Sequence, residues 1–265
     1  ADVLITNHLA ADAEKLGLQR ERISDLNPRL IHAHIKGFAD QPERPAFDVV
    51  LQGETGYIGM TGTDPEHMAK LHIAMIDVLA AHQLKEGILI ALLQRASTGK
   101  GAYVEVSLEE AALTGLVNQA SNHLMTGAVA RPMGTLHPNI APYGEVFTCI
   151  NGGRMLLAVG SDAQFTALCG VLDLAGTPAD PRFGTNADRV RNRIALAEVL
   201  STAIAVRERD ELLDALLRAE VPAGAVHGID TALTSPAARR MILEEMIDGK
   251  LTRRIRGNAF RIEAY

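Results

Sequence analysis

The sequence predicts an α/β protein: a parallel sheet covered by helices, then a smaller α+β domain. Three observations carry that prediction. Strand-like runs alternate with helical stretches through the first half of the chain, the order that builds a parallel sheet with helices over it. A tract rich in Gly, Pro and Asn then runs from Thr126 to Pro142 and reads as a linker. Beyond it the pattern changes to a hairpin followed by clustered helices. With 265 residues, 47% of them hydrophobic and 22% charged, the chain has enough apolar material for both cores.

In chain order, Ala1 to Ile5 reads as a strand that meets a turn signal at Thr6-Asn7. A globular domain seldom opens on a core strand, so the chain is expected to begin inside a domain. Asp12 to Leu18 is a short helix with Gly17 as its C-terminal glycine. Arg29 to Ile35 is a second strand, stopped at Gly37. A loop with prolines follows from Gln41 to Pro45. Gly53, Gly56, Gly59 and Gly62 then recur at every third position. That spacing is not the dinucleotide fingerprint; it suits turns and close backbone approach, or N–H groups offered to an anion or oxyanion. Asp77 to Arg95 is a helix about 30 Å long. Tyr103 to Val106 is a strand, and Ser107 with Glu110 forms a capping box for the next helix.

After the linker, Glu145 to Thr148 and Arg154 to Val159 form a hairpin about Asn151-Gly152-Gly153. Ser161 and Gln164 make a second capping box ahead of a helix from Ala163 to Leu172. Helices are expected over Thr185 to Ala205 and Arg209 to Glu220, then a strand at Ala223 to Val226, a helix from Pro236 and two basic strands. The resulting domains are 1–126, a linker over 127–144, the smaller α+β domain over 145–228 and a segment over 229–265 that returns toward the first.

Composition excludes several function classes. A net charge of −6 leaves no electrostatic footprint for nucleic acid, and there is no polybasic stretch to meet a membrane surface. The longest apolar run, Gly87 to Leu93, is far short of the roughly 20 residues of a membrane span. Two cysteines, Cys149 and Cys169, make no disulfide framework, and no signal peptide is visible, so a cytoplasmic location is expected. Trp is absent and aromatics are 4%, which disfavours stacking platforms.

The chain has no G-x-S-x-G, H-E-x-x-H, P-loop or C-x-x-C. His32 and His34 share one strand face but have no third metal ligand near in sequence, and His82 and Glu86, at i, i+4 on one helix face, read as an exposed hydrogen-bonded pair, so no metal site is expected. The informative residue is Asp77, a lone carboxylate within His72 to Ala81. Two compatible readings stand: an N-cap for the long helix, or a functional carboxylate held at a helix N-terminus in an apolar shell. Asp48, entering the apolar run Val49-Val50-Leu51, reads as a turn or cap residue.

Taken together, Ala1 to Asn7, Asn27 to Ile31, Ile35-Lys36-Gly37-Phe38, Ala46-Phe47-Asp48, Asp77 with its helix through Leu93, and Thr98 to Gly101 resemble the family III CoA-transferases. So do His137-Pro138 through Tyr143, Asp180-Pro181-Arg182-Phe183 with Asn186, and Val221 to Gly224. The resemblance implies a Rossmann-like large domain that binds CoA, a small domain, and a homodimer of interlocked rings. It implies acyl-CoA:carboxylate CoA transfer, with coenzyme A or acyl-CoA and a small carboxylic acid as substrates and no tightly bound cofactor. By the same resemblance Asp77 is the nucleophile, Asp48 the second active-site acid, and Asn7, His8, Lys15 and Leu16 line the CoA nucleotide pocket. From the residues alone, Arg44 and Arg131 are candidates to meet the second carboxylate of a dicarboxylic acid, against the commoner reading of surface arginines. Family members carry a further half-domain before the segment that begins here and continue past Tyr265, so a non-catalytic CoA-binding fragment is one alternative. The other is 2-methylacyl-CoA epimerisation. Racemases of the superfamily place a His immediately before the acid of this motif; Phe47 stands there, and phenylalanine exchanges no proton.

Overall fold

The structure is a computed structural model that describes residues 1–263. The chain divides into two compact units, Ala1–Gly134 and Thr135–Tyr265. The first contains β1 (Val3–Thr6), α1 (Ala10–Leu16), α2 (Arg20–Leu26), β2 (Ile31–Lys36), α3 (Asp48–Glu54), α4 (Tyr57–Met60), α5 (Met75–Thr98), β3 (Ala102–Ser107), α6 (Leu108–Gly115) and α7 (Val117–Thr126). Its sheet runs β1-β2-β3 and is parallel throughout, with Ala33 in register with Ile5 and Val104. The expected α/β class therefore holds.

Local chemistry explains the boundaries. Gly17 ends α1 in the left-handed region, φ 68°, where its N–H reaches the Ala13 and Glu14 carbonyls. Ser107 caps α6 by accepting from the Glu110 N–H at 3.1 Å, and its hydroxyl donates to the Glu110 carboxylate, so the cap holds without the backbone half of a capping box. The long helix α5 packs on β2 and β3. Gly87 permits that approach, because a Cβ there would stand 2.5 Å from Val104 Cγ1. On the opposite sheet face the Thr6 hydroxyl lies between His32 Nε2 at 3.1 Å and His34 Nδ1 at 2.9 Å. The i, i+2 histidines thus form a strand-face pair. Among the described residues no group of three His, Cys, Asp or Glu side chains is arranged to hold a metal. A small apolar cluster of Phe38, Leu51, Tyr57, Ile76 and Ala112 joins the loop after β2 to α3, α5 and α6.

The second unit contains β4 (Tyr143–Thr148), β5 (Arg154–Ala158), α8 (Asp162–Val171), a 3₁₀ turn (Thr177–Ala179), α9 (Asn186–Arg191), α10 (Arg193–Ala205), α11 (Arg209–Arg218), β6 (Ala223–Ala225), α12 (Ile229–Ala232), α13 (Pro236–Met241), β7 (Ile242–Ile247) and β8 (Lys250–Ile255). Strands β4, β5 and β6 form an antiparallel sheet, and β7 pairs with β8. Ser161 caps α8 as the sequence suggests. The single helix expected over Thr185 to Ala205 is two. Asn192 leaves helical geometry, and its side-chain amide donates to the carbonyls of Arg182 and Asp188.

This unit has one continuous core that includes Phe147, Met155, Leu157, Phe165, Leu168, Leu196, Leu200 and Leu216. Buried in the same unit, Arg189 donates to the Ala141 and Phe183 carbonyls and to Asp162, and its guanidinium lies 4.4 Å from the Phe165 ring centroid. Cys149 and Cys169 are buried free thiols, and burial pushes the Cys169 thiol up to about 11. No helix among the described residues is long and apolar enough to cross a membrane.

Candidate active site

Ligands of open α/β sheets bind outside the carboxyl ends of the strands. In the first unit that place is an open cavity of about 380 Å³. Its wall is built from Asn7 and His8 after β1, Lys36 at the end of β2, Arg44 and Phe47 ahead of α3, Asp48, Asp77 and neighbouring apolar groups.

Asp77 is not the N-cap of α5. The helix begins at Met75, Ala74 occupies the cap position without a side-chain bond, and Asp77 stands in the first turn. The capping group comes instead from Asp48, whose Oδ2 accepts from the Ile76 N–H at 2.7 Å and from the Asp77 N–H at 3.3 Å. The first turn of any helix leaves N–H groups without partners, and a carboxylate placed there also meets the positive end of the helix dipole. Asp48 is a capping residue, as its sequence suggested, but for a helix 28 residues further along the chain.

Behind Asp48 stands Gln52, 1% exposed. Its amide donates to Asp48 Oδ1 and, at 3.5 Å, toward the Ile73 carbonyl, and its Oε1 accepts from the Leu71 N–H at 2.8 Å. One buried side chain thus grips both the cap of α5 and the segment leading into it.

The Asp77 side chain is exposed at the cavity, and its carboxylate has no hydrogen-bond partner among the described residues. Partial burial, and then the negative charge of Asp48, push its pKa above the usual carboxylate value. The cations of the wall are already engaged. Lys36 pairs with Glu105 at 2.7 Å and donates to the Ala39 carbonyl. Arg44 forks onto both oxygens of Glu54 and lies 3.9 Å over the Phe38 ring centroid. His8 Nδ1 is 3.2 Å from the Leu9 carbonyl, and its buried Nε2 has no partner among the described residues.

Of the sequence candidates, Asn7, His8, Asp48 and Asp77 come together on this wall, as does Arg44. Lys15 and Leu16 lie elsewhere, on the last turn of α1; Lys15 is 74% exposed and pairs with Asp12 at 3.1 Å. Gly53, Gly56, Gly59 and Gly62 are not on the wall. Gly53 and Gly59 lie inside α3 and α4, and Gly56 lies between the two helices. Two residues escaped the sequence reading. Lys36 is masked by its strand, and the only hint of Gln52 is an amide directly after an apolar run.

The family model described as CoA-transferase family III matches residues 1–264. The chain belongs to that family. It is 31% identical over 239 residues to a succinate–glutarate CoA-transferase of Agrobacterium fabrum, covering 89% of this chain and 59% of the relative. It is 31% identical over 250 residues to an acetyl-CoA:oxalate CoA-transferase of Acetobacter aceti, covering 92% and 64%. The chain thus spans roughly three fifths of the length of these curated relatives. Among solved structures, a CAIB/BAIF family protein from Brucella suis superposes with a TM-score of 0.85 at 32% identity, covering 99% of this chain and 69% of that one. Rv3272 of Mycobacterium tuberculosis shares the fold, with a TM-score of 0.84 at 23% identity over 99% of this chain and 71% of that one.

Proposed function

We propose that the protein moves coenzyme A between two carboxylic acids, with Asp77 as the nucleophile. The observation that carries this is a carboxylate with no hydrogen-bond partner among the described residues, basic for its type, fixed on the first turn of a helix that lines a cavity. A thioester carbonyl is electrophilic enough for a preorganised carboxylate to attack. Attack by Asp77 on the donor acyl-CoA forms an acyl–aspartyl anhydride and breaks the C–S bond, leaving CoA thiolate. The thiolate then attacks the aspartyl carbonyl, releases the donor as its carboxylate and leaves an aspartyl-CoA thioester. The acceptor carboxylate attacks that thioester, forming a second anhydride and freeing the thiolate again. Attack of the thiolate on the acceptor acyl carbonyl yields acceptor-CoA and restores the Asp77 carboxylate. No proton is taken up or released overall, and thioester energy is kept provided water is excluded.

Asn7 and His8 face the same cavity and are the candidates for contact with CoA; Lys15 and Leu16 would serve a nucleotide end that extends beyond it. The relatives named for succinate–glutarate and oxalate transfer support small dicarboxylic acids as substrates. Arg44 is the wall cation positioned for a second carboxylate, in competition with Glu54. The reading includes a homodimer and no tightly bound cofactor.

Asp77→Asn keeps shape and removes the nucleophile. Transfer should fall by about a thousandfold or more while CoA binding persists, and wild-type protein incubated with acyl-CoA should carry a hydroxylamine-sensitive mass on the peptide containing Asp77. Retained transfer in the variant would refute the assignment. An epimerase reading of the same cavity needs two proton-exchanging groups; with Phe47 before Asp48 it would rest on His8. It predicts solvent deuterium at the substrate α-carbon without any acceptor acid, which the transferase reading does not.

A further inference from the structure

We propose that Gln52 is a positioning residue for the attack by Asp77, acting through Asp48; the proposal rests on the nucleophile reading above. Gln52 is almost fully enclosed beside Leu51, and its three polar contacts all lead toward the head of α5. The two oxygens of Asp48 divide the labour: Oδ2 takes the N–H groups of Ile76 and Asp77, and Oδ1 takes the Gln52 amide. The other end of Gln52 holds Leu71 in the segment that enters α5. Without Gln52, Asp48 Oδ1 loses its donor and nothing holds the carboxylate against α5, so Asp48 turns away. That change loosens the turn that carries Asp77. A shift of about 1 Å in a reacting group can cost about a hundredfold in rate.

A structural cap alone would affect stability and nothing else; a positioning role also moves the pH profile. The charged and titratable groups facing Asp77 across the cavity are Asp48 from α3, Lys36 from β2 in its pair with Glu105, His8 after β1, and Arg44 in its pair with Glu54. Asp48 is the one that raises Asp77 through its charge. Once Asp48 moves off, that repulsion is lost, Asp77 ionises more readily, and the acidic limb of the rate profile moves to lower pH.

The test uses the full chain as wild type, Gln52→Met and Gln52→Glu. It reads the rate of acyl-CoA-dependent adduct formation on Asp77 from acid to neutral pH, the acyl-CoA concentration for half-maximal rate, and the melting temperature. The methionine keeps the length and removes every hydrogen bond. It should slow the adduct step by about 30–100-fold, change the half-maximal concentration less than about threefold and move the acidic limb to lower pH. The glutamic acid can donate to Asp48 only when protonated, so its rate relative to wild type should be closest on the acid side and fall furthest toward neutrality. A Gln52→Met rate within about twofold of wild type per folded molecule, with an unmoved limb, overturns the proposal. If that variant does not fold, a Gln52→Glu profile that superimposes on the wild-type profile overturns it equally. Wild-type protein that forms no adduct on Asp77 refutes the nucleophile reading itself, and the proposal with it.

Discussion

The two units are stabilised by different means. In the second, one apolar core runs from β4 and β5 through α8, α10 and α11. In the first, the compact apolar cluster is small, and a polar network of Asp48, Gln52 and the head of α5 sits directly beside it. The contrast teaches where each kind of free energy resides. A dry core gives stability and little chemistry; a carboxylate held beside a second carboxylate gives reactivity at some cost in stability.

The strongest way to break this comparison is Leu200→Ala. Leu200 is fully buried in α10, so the change should cost about 2–5 kcal/mol, read as lost hydrogen-exchange protection in α10 and β5. Equal loss in β2 and α5 would show that the two units unfold as one and dissolve the contrast. Arg189→Met sharpens it from within the second unit. It strands the Ala141 and Phe183 carbonyls and the Asp162 partner, and should cost about 2–3 kcal/mol by denaturant titration. A neutral result would mean that packing alone sets stability there.

The smallest effect belongs to the first unit and has the opposite sign. Because burial and Asp48 raise the Asp77 pKa, the folded chain holds that proton at a pH where the unfolded chain has released it. The resulting stabilisation is full in acid and is lost as pH rises through the raised value. At neutral pH Asp77→Asn removes the penalty. It should raise stability slightly, because solvent screens so exposed a group, and flatten that part of the pH–stability curve. A variant less stable than wild type at neutral pH would show that the site carries no such strain.

Sequence reading succeeded where the signal was local. Ser107 with Glu110 and Ser161 with Gln164 announced their helices, because a cap of this kind is complete within four residues. Gly17 announced the end of α1 for the same reason. The head of α5 did not follow from local pattern. Asp77 stood where a cap belongs, yet the cap arrives from Asp48 across 28 residues of chain, a pairing made only by tertiary packing. Helix α3 was hidden because Val49, Val50 and Leu51 look the same in a short helix as in a strand. Gln52 was hidden because its burial depends on Leu71 and Ile73, which lie on a later loop. The break at Asn192 was missed because Ile194 to Ala205 keeps the helical pattern on its far side.

The Thr6 hydroxyl has one proton and two imidazole neighbours. It can donate to one ring nitrogen only, so at least one of the two rings must present its own N–H to the Thr6 oxygen. The tautomers of His32 and His34 are thereby linked: the two rings cannot both offer Thr6 a bare nitrogen. A paired proton arrangement of this kind lies on the back of the sheet whose carboxyl ends frame Asp77.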